Sequence, residues 1–425
     1  MIRNNSILLL ITFIYASIAT AQDAAIKAIT LNQVYKYAQQ NYPLVKDGNL
    51  INEIERLHLE VIKKSKLPSV SLNGNAQVQS ENISLNLGTA SIEAPLETYN
   101  AYLYAEYNIY DGGKTSAETR IQKAKSSVDR NAFEVQFRLI KNRVNTLLFA
   151  ISISRKQKYI LETSKLDLET NISTLEIGFK NGTILESEVS KLKVRRLEII
   201  SNIIQLNGKF SSYLVMLEQL TGKTFSNNVQ FEIPVVPSNF TSSEINRPEL
   251  ELFNSQKSLL EAQEASITAS LKPKISLFAQ GGVGNPNPLN FADFNLAPYA
   301  LGGVKLKWNF INFGKSKKEK ELLKIQQDQI EIDREVFSFD IQSEAKEYTK
   351  RIESLVLEIE NNETIVQLQK EILQQSKVQL DNGIINSSEY VTQLNAAIQS
   401  EQNLELNRVE LQQATIEYLT LIGKL

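Results

Sequence analysis

Along most of this chain the apolar residues recur at helical spacing, and in a few short stretches they alternate with polar ones. Phe133, Phe137, Ile140, Val144, Leu147 and Ile151 step four, three, four, three, four, which is the seam of a helix packed along another helix. Ile341, Ala345, Tyr348, Ile352, Leu355 and Ile359 take the same steps later in the chain. The faces between these seams are rich in Lys, Glu, Asn and Gln. The arm from Lys114 to Phe179 has about 65 residues and as one helix would reach roughly 100 Å. It ends at Phe179-Lys180-Asn181-Gly182-Thr183, and the later arm ends at Leu380-Asp381-Asn382-Gly383-Ile384. Asn-Gly suits the left-handed backbone that closes a helix. Two long helical hairpins are therefore expected.

The period changes to two after Pro68, where Val70, Leu72, Gly74, Ala76 and Val78 alternate with Ser71, Asn73, Asn75 and Gln77. Leu103, Ala105, Tyr107 and Ile109 alternate with Tyr104, Glu106, Asn108 and Tyr110. Ile275, Leu277 and Ala279 alternate with Ser276, Phe278 and Gln280, and Val304, Leu306, Trp308 and Phe310 with Lys305, Lys307 and Asn309. Each reads as a strand with one apolar and one polar face, about ten residues long, a length that suits a tilted transmembrane strand. Alternation alone also fits a soluble sheet packed on the helices. Glu106, Lys305 and Lys307 on the polar side, and long polar connections at 81–100 and 285–297, favour a barrel with a water-filled lumen. Four strands cannot close, and an open edge in lipid costs several kcal/mol per unpaired group. The chain would have to oligomerise. Three copies would supply twelve strands, enough to leave a lumen.

The two halves are copies. Gly113 and Gly314, Asn181 and Asn382, Glu188 and Glu389, and Gly222 and Gly423 all lie 201 positions apart. Pro43 and Pro248, and Pro68 and Pro273, lie 205 apart. The hairpin unit is thus duplicated without a gap, as helices require, since one lost residue rotates everything after it by roughly 100°. Ahead of it each copy carries helices, 31–40 and 43–65 in the first and 248–270 in the second. The first repeat is assigned to 22–224 and the second to 245–425. Residues 225–244, with Pro234 and Pro237, read as the linker.

Composition narrows the function. In 425 residues the net charge is −2 and there is no cysteine, which argues against a nucleic-acid partner and excludes disulfides, thiolate metal sites and a Cys nucleophile. Residues 1–21 read as a secretory signal peptide: Arg3, an apolar centre at 7–15, and Ala19-Thr20-Ala21 as the cleavage site. No enzyme motif survives inspection. Gly113-Lys114-Thr115, Gly222-Lys223-Thr224 and Gly314-Lys315-Ser316 match the end of a P-loop, but the required earlier Gly is Asn108, Leu217 or Asn309. Gly281-Gly282-Val283-Gly284 ends a strand and precedes no helix. His58, the sole histidine, reads as structural or solvated. No cofactor, metal or catalytic residue is expected.

Ile109-Tyr110-Asp111-Gly112-Gly113 and Phe310-Ile311-Asn312-Phe313-Gly314 resemble the strand-to-helix junction of the outer-membrane efflux protein (TolC) family. Residues 31–43 resemble its opening helix. Gly182 with Glu188, and Gly383 with Glu389, resemble its hairpin turns, in which an acid follows the Gly by six positions. The resemblance spans about 28–425 and implies a mainly α fold with a small β part: a trimeric twelve-stranded barrel in outer-membrane lipid on an α-helical periplasmic tunnel. It implies a homotrimeric exit duct whose tips meet a periplasmic adaptor protein that bridges to an inner-membrane efflux transporter. The tips would be Asn181, Gly182, Thr183, Asn382, Gly383 and Ile384, and the entrance gate Glu188 and Glu389.

The match has gaps. In the family pattern an Arg two residues after the second-turn Gly clasps the first-copy acid; here Ile385 stands there. The aromatic three residues before that Gly is Leu380, and a second entrance acid is replaced by Thr392. The entrance must be held closed by other contacts. Glu188 and Glu389 have a plainer role available, as favourable charge near a helix N-terminus, worth about 0.3–1 kcal/mol. A periplasmic adaptor, a soluble structural coiled coil and a paralogue serving protein secretion remain alternatives to an efflux duct.

Overall fold

A computed structural model describes residues 28–425 except 83, 88–89, 235–243 and 291–292. The expected signal peptide lies outside the described residues, as does much of the expected linker. The elements are β1 (Ile29–Thr30), α1 (Leu31–Asn41), α2 (Val45–Lys64), β2 (Ser69–Val78), β3 (Ser84–Leu87), β4 (Ala90–Glu93), β5 (Glu97–Tyr110), α3 (Lys114–Lys180), α4 (Glu186–Thr221), β6 (Phe231–Glu232), α5 (Pro248–Ser270), β7 (Lys274–Asn285), β8 (Ala297–Lys307), α6 (Lys315–Asp381) and α7 (Ser387–Leu421). The helical hairpins of the two halves match in length, α3 and α6 being 67 residues each and α4 and α7 36 and 35, whereas α1 and the β3–β4 hairpin have no counterpart in the second half among the described residues.

The chain divides into two compact units. One comprises residues up to Val45, Phe137–Asn246 and Ile341–Leu425. There the heptad seam is the core: Ile140, Val144, Leu147 and Ile151 of α3 are buried with Leu214, Leu217 and Leu220 of α4 and Val409 and Ile416 of α7. The short α1 lays Leu31, Val34, Tyr35 and Ala38 into the same cluster. Thr30 and Gln33 close a capping box at its start, satisfying two backbone donors that the first turn leaves free. Tyr35 carries its hydroxyl into the core because it can donate to Asn145 Oδ1, 2.5 Å away. At its end Asn41 Nδ2 donates to the Gln219 and Leu220 carbonyls at 3.1 and 3.4 Å, closing the last turn of α4. The second seam buries Ile352 and Leu355 against Ala414, Tyr418 and Ile422.

The other unit comprises Lys46–Gln136 and Arg247–Asp340 and holds the four-stranded sheet, ordered β2-β5-β7-β8 and antiparallel throughout. The two middle strands come from different repeats, so the halves share one ladder.

Three expectations need correction. The connection at 81–100 is not a plain loop: it contains the hairpin β3–β4, and β5 starts as early as Glu97. Strand β8 stops at Lys307, leaving Trp308 and Phe310 outside the ladder. The neighbouring β7 begins at Lys274, opposite Lys307 and just after Pro273, so nothing remains for Trp308 to pair with. The segment read as a linker carries β6, which pairs in parallel with β1, and Val229 is buried in the core.

Candidate functional site

The sequence singles out three places: the sheet faces, the strand-to-helix junctions and the hairpin tips. Cross-strand register sorts the sheet side chains. Val70, Leu72, Ala76 and Val78 of β2 share a face with Ala101, Leu103, Ala105 and Tyr107 of β5, Leu277, Ala279 and Val283 of β7, and Ala300, Val304 and Leu306 of β8. This face has no charged residue between β2 Val70 and Val78, yet it is open: Leu72 is 76 % exposed, Val304 67 % and Leu103 56 %. A continuous apolar surface on that scale marks a face made for an apolar partner or a membrane. The opposite face carries Ser71, Asn73, Asn75 and Gln77, Asn100, Tyr104 and Glu106, and Lys305 and Lys307. There Tyr299 is buried, donating to Asn100 Oδ1 at 2.8 Å and accepting from Gln280 at 2.7 Å. Among the described residues no helix is long and apolar enough to cross a membrane.

At the first junction Asp111 caps α3. Its carboxylate accepts from the Gly113 and Thr115 N–H groups, both at 2.8 Å, and from the Thr115 hydroxyl. Burial alone would push this carboxyl up, but the bonds from Thr115 and Gly113 outweigh it and hold it below the usual Asp range. Gly112 has φ +72°, and a Cβ there would lie 3.1 Å from the Ala269 carbonyl and 3.2 Å from that of Pro273, so the junction admits little else. In the second copy Asn312 accepts from Gly314 N–H at a longer 3.3 Å and bonds Ser316 Oγ at 2.6 Å. Phe313 replaces the glycine, keeps a positive φ of 51° and stands 98 % exposed. The five junction residues are thus brought into two separate turns, each a helix cap.

The tips are Schellman turns. Gly182 N–H donates to Phe179 O and Thr183 N–H to Gly178 O at 2.9 and 3.0 Å; Gly383 and Ile384 do the same to Leu380 and Gln379 at 3.0 and 2.8 Å. The motif needs a left-handed residue, and Gly182 and Gly383 supply it at φ 76° and 68°. Asn382 also bonds back to Val378 O at 2.7 Å. Asn181, Gly182, Thr183, Asn382, Gly383 and Ile384 are all exposed.

The two predicted gate acids differ. Glu389 is exposed and closes a capping box with Asn386, giving and taking one bond at 3.0 and 3.1 Å. Glu188 reaches across to the other hairpin. Its Oε2 accepts the Ser387 backbone N–H at 2.7 Å, in the first turn of α7, while Oε1 lies 2.8 Å from Lys191 Nζ. Lys191 first, and Ser387 after it, hold the carboxyl below the usual Glu range. Ile385 cannot clasp Glu188, so a backbone donor two residues later does. Beneath this tie, Tyr390 is 2 % exposed and takes a hydrogen bond from Asn171 of α3. Burial, then Asp167 and Asp381, push its hydroxyl up to about 12. Leu380 packs in the same cluster with Leu394 and Leu192.

Sequence reading missed Ser387 and Lys191. The run Asn386-Ser387-Ser388-Glu389 was the available signal, since a cap residue followed three positions later by Glu announces a helix start.

Solved structures match the chain over most of its length. It superposes on a crystal structure of CusC, reported with conformational changes accompanying folding and transmembrane channel formation, with a TM-score of 0.70 and 15% identity over 92% of each chain. The outer membrane protein VceC of Vibrio cholerae gives 0.68 and 12%, covering 92% of this chain and 96% of that one. The CmeC outer membrane channel of Campylobacter jejuni gives 0.65 and 15%, covering 92% and 85%. No family model and no curated protein matches the chain.

Proposed function

Because the chain has the fold of the TolC-like outer-membrane channels, we propose that it is the outer-membrane exit duct of a tripartite efflux pump or type I secretion system. The observation that carries this is the sheet: one largely apolar, open face, its one charged residue Glu97 at the far end opposite Val78, and two edges, β2 and β8, without a partner strand among the described residues. Such edges cannot stand in lipid. Three copies joined edge to edge close a barrel of twelve strands with the polar face inward. A second feature supports self-association. Leu322, Ile325, Ile332, Val336 and Phe339 of α6 step three, seven, four, three and are 53–70 % exposed, a coiled-coil seam with no cover among the described residues.

In this reading the barrel sits in the outer membrane of a Gram-negative cell and the hairpins extend into the periplasm. Asn181, Gly182 and Thr183, with Asn382, Gly383 and Ile384, dock to a periplasmic adaptor that connects to an inner-membrane transporter. The duct is passive; it makes and breaks no covalent bond, and the transporter supplies the energy. The Glu188–Ser387 tie holds the two hairpins of one chain together at the entrance. Three exposed Glu389 carboxylates ring the opening and favour cations there. A soluble coiled coil would leave the open apolar sheet face without purpose. Membrane fractionation and an unboiled gel test the proposal. A heat-modifiable trimer in the detergent-extracted outer-membrane fraction is expected; a soluble periplasmic monomer would overturn it.

A further inference from the structure

The polar face of the sheet carries a charge pattern that packing does not explain. Its charged residues are Glu106 on β5, Lys274 on β7, and Lys305 and Lys307 on β8. Glu106 takes a hydrogen bond from the Tyr104 hydroxyl at 3.1 Å and lies 4.0 Å from Lys305 Nζ. Lys274 and Lys307 stand directly opposite each other in the β7–β8 ladder, and neither has an ion-pair partner among the described residues. Like charges directly opposed across antiparallel strands destabilise a sheet. Further along the same face the side chains are neutral, among them Asn73, Asn75, Asn100 and Gln280. All three lysines fall at the end of the sheet where β7 leaves α5 and β8 runs towards α6.

We propose that Lys274, Lys305 and Lys307 form a basic collar that lines the helix-side end of the barrel lumen and selects anionic solutes, those bearing carboxylate, phosphate or sulfonate groups. The proposal rests on the duct reading. Three lysines against one glutamate leave a net charge of plus two per chain, repeated around the axis in a trimer. A narrow passage with low-dielectric walls focuses such a field on whatever passes through it. The collar's preference is opposite to that proposed for the Glu389 ring, so neutralising either ring shifts selectivity in the opposite direction from neutralising the other.

The test is planar-bilayer recording of the full-length protein in a KCl gradient, with tripolyphosphate added on the side of the β7–β8 connection. The double variant Lys274→Gln/Lys307→Gln is expected to move the reversal potential towards that of K⁺. It is also expected to need a several-fold higher tripolyphosphate concentration for half-block than the wild type. Unchanged reversal potential and block at unchanged conductance would overturn the collar while leaving the duct intact. A wild type that forms no conducting trimer overturns both. Should the double variant not insert, the single Lys307→Gln carries the same two readouts.

Discussion

Glu188 makes the sharpest quantitative case. Its carboxylate is about one-fifth exposed and accepts the N–H of Ser387, a residue with no exposed surface. Glu188→Ala leaves that donor unpaired at the start of α7. A hydrogen bond to a charged group contributes about 1.5–3 kcal/mol, and stranding a buried donor costs about 1–3 kcal/mol. The Lys191 pair adds little, because Lys191 is 44 % exposed and surface pairs are worth about 0–1 kcal/mol. A loss of about 2 kcal/mol in local stability follows, equivalent to about 30-fold in the opening equilibrium. Hydrogen exchange on the detergent-solubilised protein reads it directly. Amides in the first turn of α7 should lose about 30-fold protection, while those around Ile416 should not change. Glu188→Gln keeps an oxygen acceptor and should lose less. The sign with pH follows from the depressed carboxyl: the tie is fully present above the usual Glu range and is lost as pH falls through the native value. Wild-type protection at Ser387 in the Ala variant would refute the reasoning.

Asp111→Ala removes the cap of α3 and should cost about 0.5–2 kcal/mol by denaturant titration. Asn312→Ala should cost less, its single backbone bond being longer. The Asp111 contribution should fade as pH falls through its lowered native value, not on the alkaline side. Leu72→Arg or Leu103→Arg on the open apolar face should cost about 2–4 kcal/mol if that side chain lies at mid-membrane, and outer-membrane trimer yield on an unboiled gel measures it. Gly383→Val should strain the tip by about 1–2 kcal/mol and abolish pump activity with trimers intact; normal efflux would sink the docking assignment. Glu389→Ala should reduce cation preference in bilayer recordings, and unchanged selectivity would remove Glu389 from the gate.

Much of the fold was legible because it is periodic. The seams at Ile140–Ile151 and Ile352–Leu355 are buried where their spacing placed them, and Leu31, Val34, Tyr35 and Ala38 form the buried side of α1. The gapless shift between copies fixed the hairpins to equal lengths. What escaped had no periodic signature. Strands β1 and β6 have two residues each and pair across most of a repeat. The alternation through Trp308 and Phe310 ran on past the point where the partner strand ends. At the hairpin tips the resemblance implies an Arg side chain as the partner of Glu188, and Ile385 stands at that position. The actual donor at Ser387 is a backbone N–H, which any residue other than proline offers and which therefore leaves no mark in the sequence.

The cross-repeat ladder also sets an order of assembly. During synthesis β5 emerges with β2 already available as a neighbour, but its other partner, β7, follows only after α3, α4 and α5 have been made. Until then the β2–β5 pair carries an unpaired edge and an open apolar face. Strand pairing over so long a separation is slow, and an exposed edge invites pairing with a stranger. Helical hairpin one can form while the chain waits; the sheet cannot. Truncation before Lys274 should therefore leave β5 with one open edge, and such a fragment should aggregate.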